Sequence, residues 1–167
     1  GWVRKPAMDV RFIDTTYRDG SQSLWASGLR GGMMAATAEA MDRAGFDAIE
    51  VPVGGIYFKK FIRDLKENPW DMARTVAKMM PNTLKSCMTP GVIHPFEAPP
   101  PRAIVELFYT RLVETGALNR AQSSSNTFGQ IKGAFPWILP LFRNLGMKIS
   151  LALSYTISPR HSDQYYA

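Results

Sequence analysis

The sequence predicts an α/β fold, about five βα units laid around a parallel sheet. Three observations carry this. Short apolar runs with strand-like composition alternate with longer runs of helical period. Glycine follows several of the helical runs, where it favours a stop. Residues 147–155 alternate large apolar and small side chains, with Ile149, Leu151 and Leu153 set against Ser150, Ala152 and Ser154.

Taken in order, residues 10–14 form the first strand candidate. Residues 29–44 place Met33, Met34, Ala36, Thr37, Ala40, Met41 and Ala44 at helical spacing and end at Gly45. Residues 46–53 read as a second strand, apolar apart from Asp47 and Glu50. A second helix over 56–66 restarts at Asn68-Pro69-Trp70-Asp71, because proline in a first helical turn sacrifices no hydrogen bond, and continues over 71–80. Residues 83–89 form a third strand closed by Pro90-Gly91. Pro95, Pro99, Pro100 and Pro101 predict a rim loop before helix resumes over 102–115 and stops at Gly116. Residues 117–122 are a weaker fourth strand, followed by the turn-forming Ser123-Ser124-Ser125-Asn126. Residues 135–145 make a helix that Pro136 and Pro140 interrupt, and 147–155 are the fifth strand.

Composition narrows the function classes. The formal charge of +6 arises from 20 Lys and Arg against 14 Asp and Glu, and the cations are scattered along the chain. Scatter describes a solvated surface, so no nucleic acid is expected as a partner, while an anionic small molecule suits the sign. The single cysteine, Cys87, offers neither a disulfide framework nor a zinc cluster, which suits a reducing compartment such as the cytoplasm. No apolar run reaches the roughly 18 residues of a membrane span. Residues 1–8 carry no apolar stretch of signal-peptide type and read as a lead-in strand or arm.

The chemistry-bearing segment follows the first strand. Asp14, Arg18, Asp19 and Gln22 fall within nine residues, with Gly20 among them free to adopt an unusual backbone turn. A carboxylate there can hold a hard divalent ion, an arginine can hold a carboxylate or an oxyanion, and a glutamine can orient a carbonyl oxygen. The three types together suit an enolate. From the residues alone the constellation is a weak signal, and a surface ion pair between Arg18 and Asp19 that contributes little is the plainer reading.

Asp14-Thr15-Thr16-Tyr17-Arg18-Asp19-Gly20-Ser21-Gln22-Ser23-Leu24 resembles the signature of the carboxyltransferase family of metal-dependent barrels, which includes pyruvate carboxylase and the oxaloacetate decarboxylase α subunit. Ala44-Gly45-Phe46-Asp47-Ala48-Ile49-Glu50-Val51 followed by Gly54-Gly55 resembles that family's second strand, and Asn68-Pro69-Trp70 its second helix. Ser154-Tyr155-Thr156-Ile157-Ser158-Pro159-Arg160-His161 with Tyr165-Tyr166 is similar to its fifth strand and loop. The resemblance implies that residues 1–167 are a single partial domain, the N-terminal portion of a (β/α)8 TIM barrel with its C-terminal strands absent. A whole barrel takes about 250 residues.

The resemblance further implies a carboxyltransferase or decarboxylase acting on pyruvate, oxaloacetate or a related α-keto acid through an enolate. Asp19 would be a metal ligand, with Arg18 and Gln22 as catalytic residues contacting the keto acid. The implied cofactors are a divalent ion (Zn, Mn, Co or Mg) and biotin on a separate carrier domain or chain. The family's remaining metal ligands, a lysine and a His-x-His pair, come from strands beyond the fifth, and its third-strand arginine has no counterpart in residues 85–91. Pro52 stands where the family often has tryptophan. The wider superfamily supplies an alternative, a lyase or synthase of the hydroxymethylglutaryl-CoA lyase and isopropylmalate synthase type. Asn68-Pro69-Trp70 and Ser158-Pro159-Arg160-His161 favour the carboxyltransferase branch. A third reading is a non-catalytic scaffold subunit with a degenerate barrel. Open sheet edges predict other protein chains, a missing half or a homo-oligomer as partners.

Other residues have plainer readings. Glu50, near the end of an apolar strand, needs a partner if buried; pairing with an arginine is one reading and contact with substrate the other. His94 and His161 show no metal-ligand spacing, and His161 reads as a brace for the loop after the fifth strand. Cys87 reads as an inert buried hydrophobe. Met33, Met34 and Met41 read as core filler, Trp25, Trp70 and Trp137 as packing residues, and Gly54-Gly55 as a tight turn rather than a phosphate loop.

Overall fold

A computed structural model of the chain describes residues 9–90, 101–125, 128–153, 157–162 and 164. The expectations for residues 1–8, for His94 and its proline-rich loop, for Asn126, and for Ser154, Tyr155, Thr156, Tyr165 and Tyr166 lie outside the described residues.

Five strands form one sheet in sequence order: β1 (Ile13–Asp14), β2 (Ala48–Glu50), β3 (Leu84–Pro90), β4 (Arg120–Ser125) and β5 (Lys148–Leu153). Every pairing is parallel, with Ile13 opposite Ala48, Glu50 opposite Ser86, Ser86 opposite Arg120 and Arg120 opposite Lys148. Helices fill each crossover: α1 (Ser21–Trp25), entered through a π-helical turn at Thr16–Gly20, and α2 (Gly31–Arg43) between the first two strands; α3 (Gly55–Lys60), extended by a π-helical turn at Phe61–Leu65, and α4 (Pro69–Met79); then α5 (Arg102–Glu114) and α6 (Phe128–Asn144). Parallel strands in sequence order with a helix between each pair are the winding of a TIM barrel, of which this is a five-strand portion.

The core lies between the outer face of the sheet and the helices. Ile49, Val51, Cys87 and Ala121 meet Met34 and Ala38 of α2, Met72, Ala73 and Val76 of α4, Tyr109 and Leu112 of α5, and Phe142 of α6. Spacings of four, as in Met34 and Ala38 or Met72 and Val76, set these side chains on one helical face. Aromatic rings stitch the helices together: Phe58 lies edge-on to Trp70 at 4.9 Å and to Phe108 at 5.3 Å, and Tyr109 meets Phe142 at 5.0 Å. Successive strand residues alternate faces, so Glu50 and Ser86 point to the opposite, inner side. At the N-terminal end of the strands, Asp47 accepts from Arg120 at 2.8 Å and from Arg11 at 3.3 Å, tying the first, second and fourth strands.

Helix ends follow local chemistry. Asn68 caps α4 by accepting the Trp70 N–H at 3.0 Å, with Pro69 in the first turn. Gly45 and Gly116, after α2 and α5, adopt φ of +82° and +77°, a conformation that costs any residue with a Cβ.

Several expectations are corrected. The fourth strand begins at Arg120, not at 117, because Ala117 and Leu118 owe their apolar character to core packing in the preceding turn. α6 begins at Phe128 and runs through both prolines. Pro136 and Pro140 are exposed while Ile138 and Phe142 are buried, so the carbonyls that the prolines leave unbonded face water. Gly20 has ordinary helical angles, φ −57° and ψ −46°; the unusual backbone is at Ala26 and Ser27, with φ of 49° and 61°. Trp25, 59% exposed, and Met33, 51% exposed, are not core residues, whereas Met34 is fully buried. Among the described residues no helix is long and apolar enough to cross a membrane. Val10 and Phe12, just before β1, and Leu151 of β5 are open to solvent.

Candidate active site

The site forms at the C-terminal ends of β1 and β2. Asp14 starts it: its carboxylate accepts from the Thr16 N–H at 3.0 Å and the Thr16 hydroxyl at 2.9 Å, turning the chain out of the strand. The π-helical turn follows, with the N–H of Asp19 and of Gly20 both reaching the Thr15 carbonyl, at 2.8 and 3.1 Å. Turns of this type, one residue wider than an α-turn, recur at functional sites. Two side chains anchor it. Tyr17 is buried and its hydroxyl bonds Thr37 Oγ1 at 2.7 Å and the Met34 carbonyl at 3.2 Å on α2. Ser21 Oγ accepts the Leu29 N–H at 3.2 Å, closing the loop behind the turn.

Arg18 turns inward and is 8% exposed. Its Nε donates to Glu50 Oε2 at 2.7 Å and its Nη2 lies 2.6 Å from the same oxygen. Its Nη1 donates to Asp19 Oδ1 at 3.0 Å. Glu50 is 1% exposed, so the pair is a buried one, and burial without Arg18 would leave an isolated charge. Burial works against the Arg18 charge, but the Glu50 carboxylate outweighs it and raises the guanidinium pKa further. One cation thus holds two carboxylates. Glu50, left open between pairing and substrate contact by its sequence, is paired with Arg18.

Asp19 and Gln22 point the other way. The Asp19 side chain is 53% exposed, and its Oδ2 has no bond to any described residue. Gln22, one helical turn on, is exposed, and its Oε1 accepts from the Tyr57 hydroxyl at 2.9 Å. Tyr57 is buried, and burial raises its pKa although the neighbouring Arg18 charge opposes that shift. Beside Glu50 on β3, the Ser86 hydroxyl is buried with no hydrogen-bond partner among the described residues.

Arg18, Asp19, Gln22 and Glu50 therefore meet in one place, with Arg18 and Glu50 beneath and Asp19 and Gln22 above. Among the described residues no three His, Cys, Asp or Glu side chains gather as a metal site, so Asp19 offers one free carboxylate oxygen and not a ligand set. Sequence reasoning misses Tyr57 and Ser86. A tyrosine in a helix and a serine in a strand carry no signal until folding brings β2 and β3 beside the loop after β1. Cys87 is buried and its thiol is pushed up to about 12 by burial, the inert state expected of it. His161 accepts or shares a bond with Ser158 Oγ at 2.6 Å, within its own loop.

No family model matches the sequence. Curated relatives do match over nearly its whole length. It is 35% identical, over 93% of the chain, to a pyruvate carboxylase subunit of Methanocaldococcus jannaschii, and 34% identical, over 93%, to the 2-oxoglutarate carboxylase large subunit of Hydrogenobacter thermophilus. Over nearly its whole length the chain is thus similar to subunits of two carboxylases. It spans 27% and 23% of those two proteins' own lengths, about a quarter of each. The carboxyltransferase fold is matched as well: the carboxyl transferase domain of Rhizobium etli pyruvate carboxylase, solved with oxamate and biotin, superposes with a TM-score of 0.80 at 23% identity. That match covers 94% of this chain and 27% of the solved one. The likeness of fold thus extends over nearly the whole five-strand portion.

Proposed function

We propose that the chain is part of a metal-dependent carboxyltransferase or decarboxylase acting on an α-keto acid such as pyruvate or oxaloacetate. The observation that carries this is the division of labour after β1: a buried Arg18–Glu50 pair supports an exposed carboxylate, Asp19, and an exposed amide, Gln22, on one turn. The reaction class makes or breaks the C–C bond between carbon dioxide and the carbon next to a ketone, and charge collects on the ketone oxygen as the enolate forms. Gln22 can donate to that oxygen, and the Arg18 cation behind it favours the developing charge. Arg18 spends most of its donors on Glu50 and Asp19, so it acts mainly by holding Asp19 in place.

Asp19 supplies one ligand of a divalent ion, the others coming from beyond the described residues; such an ion would act as a Lewis acid on the ketone. Biotin on a carrier domain or another chain would bring or remove carbon dioxide, a reading supported by the similar Rhizobium etli domain that was solved with oxamate and biotin. The exposed Val10 and Phe12, just before β1, and Leu151 of β5 are where further protein would complete the barrel. A cytoplasmic setting fits the lone, reduced cysteine.

A scaffold role is the second reading, favoured by the single carboxylate ligand among the described residues. Metal content and melting temperature decide between them, measured on the wild type and an Asp19→Ala variant with and without oxamate. About one metal per chain, lost in the variant, with oxamate stabilising only the wild type, is the result expected of the enzyme. Metal-free wild type that melts identically with oxamate would leave the scaffold.

A further inference from the structure

We propose that Tyr57 is a positioning residue: its hydroxyl fixes the orientation of the Gln22 side-chain amide, so that the NH2 group, and not the amide oxygen, faces the keto acid. This deepens the reading of Gln22 as a substrate contact and rests on it.

A glutamine amide is nearly symmetric in shape and presents two donors or one acceptor depending on which way it is turned; its neighbours decide. Here the neighbour is Tyr57, whose oxygen lies 2.9 Å from Gln22 Oε1. Its ring cannot swing away. Tyr57 is 8% exposed, lies in the first turn of α3, and packs against Gly54, where a Cβ would stand only 3.5 Å from its Cδ2.

The direction of the bond follows from Arg18. A guanidinium has donors and no acceptor, and the Arg18 charge lies near enough to Tyr57 to oppose the rise in its phenol pKa. A cation there repels a proton pointed at it. The phenol proton is left to Gln22, and burial keeps the phenol protonated through the neutral range. A reversed amide would lose this bond and turn its NH2 toward the same cation. Tyr57 and Gln22, set beside the Arg18 cation, therefore form a one-way relay that ends in two amide N–H groups on the exposed side, with no partner of their own among the described residues. Such an end selects oxygen acceptors, either a ketone or enolate oxygen or a carboxylate.

No local pattern marks Tyr57 for this role; it lies 35 residues from Gln22. The contact also joins the loop after β1 to the loop after β2, so the two strand ends keep one geometry.

The test uses the protein in its assembled form and a double-mutant cycle of Tyr57→Phe, Gln22→Ala and the two combined, with oxamate as the probe. Tyr57→Phe removes one oxygen and keeps the buried ring. It is expected to weaken oxamate binding about fivefold to tenfold, the weight of one neutral hydrogen bond, and to have no further effect once residue 22 is alanine. In parallel, the nitrogen-15 order parameter of the Gln22 side-chain amide should fall in Tyr57→Phe. Equal losses in both backgrounds, or a Gln22 amide as ordered in Tyr57→Phe as in the wild type, would overturn the proposal. The amide measurement needs no keto acid. A wild type that ignored oxamate while its Gln22 amide loosened in Tyr57→Phe would sink the substrate assignment and uphold the positioning role.

Discussion

Glu50→Gln is the most informative single change, because it keeps the shape of a fully buried side chain and removes only its charge. In the wild type, Glu50 Oε2 receives two donors from Arg18, at 2.7 and 2.6 Å, and both groups are more than nine-tenths buried. Breaking a buried pair by neutralising one member costs about 3–5 kcal/mol, mostly because the remaining charge stays desolvated. Arg18 retains Asp19, but that carboxylate is half in water and compensates poorly, so we expect about 3 kcal/mol. With a urea m-value of about 2 kcal/mol/M, the unfolding midpoint should drop by roughly 1.5 M. Replacing both members by apolar residues, Arg18→Met with Glu50→Leu, leaves no buried charge and should restore stability to within about 1 kcal/mol of the wild type. A Glu50→Gln midpoint within about 0.3 M of the wild type would refute the reasoning, since the pair would then be too solvated to organise the turn above it.

Three further outcomes follow from burial. Cys87 should resist a disulfide reagent at pH 8 in the folded protein and react only on unfolding. Its folded pKa of about 12 against the ordinary 9.0 also means that the unfolded chain releases the thiol proton first. Stability is therefore whole below pH 9 and falls as pH rises toward 12, and Cys87→Ala should flatten that part of a stability profile. On α2, Met34→Ala should cost about 2–5 kcal/mol and Met33→Ala less than about 0.5, read from denaturant midpoints; equal costs would contradict the burial of Met34 beside a half-exposed Met33.

The sequence by itself determines the α/β class, the order of strands and helices, and the cluster of polar residues after the first strand that forms the candidate site. Those features are local. Hydrophobic period, the Asn68 cap, the glycine stops and the cluster of Asp14, Arg18, Asp19 and Gln22 all lie within a few residues of the features they specify. Sequence misleads where an apolar or special residue serves a distant purpose. Ala117 and Leu118 resemble strand because burial beneath a turn looks the same in one dimension. Pro136 and Pro140 resemble breaks in α6 because only packing shows that they face water. Gly20 has the freedom for an unusual backbone, yet the chain places that backbone at Ala26 and Ser27.

What tertiary structure alone decided is how the site's residues are divided. Arg18 and Glu50 are 32 residues apart and Tyr57 and Gln22 are 35 apart, and no spacing in the chain couples them. Parallel pairing of β1 with β2 brings the two strand ends together, and the π-helical turn then sends Arg18 inward and Asp19 outward. Burial makes the first a support and leaves the second open to solvent, a distinction the same residue types could not express in sequence.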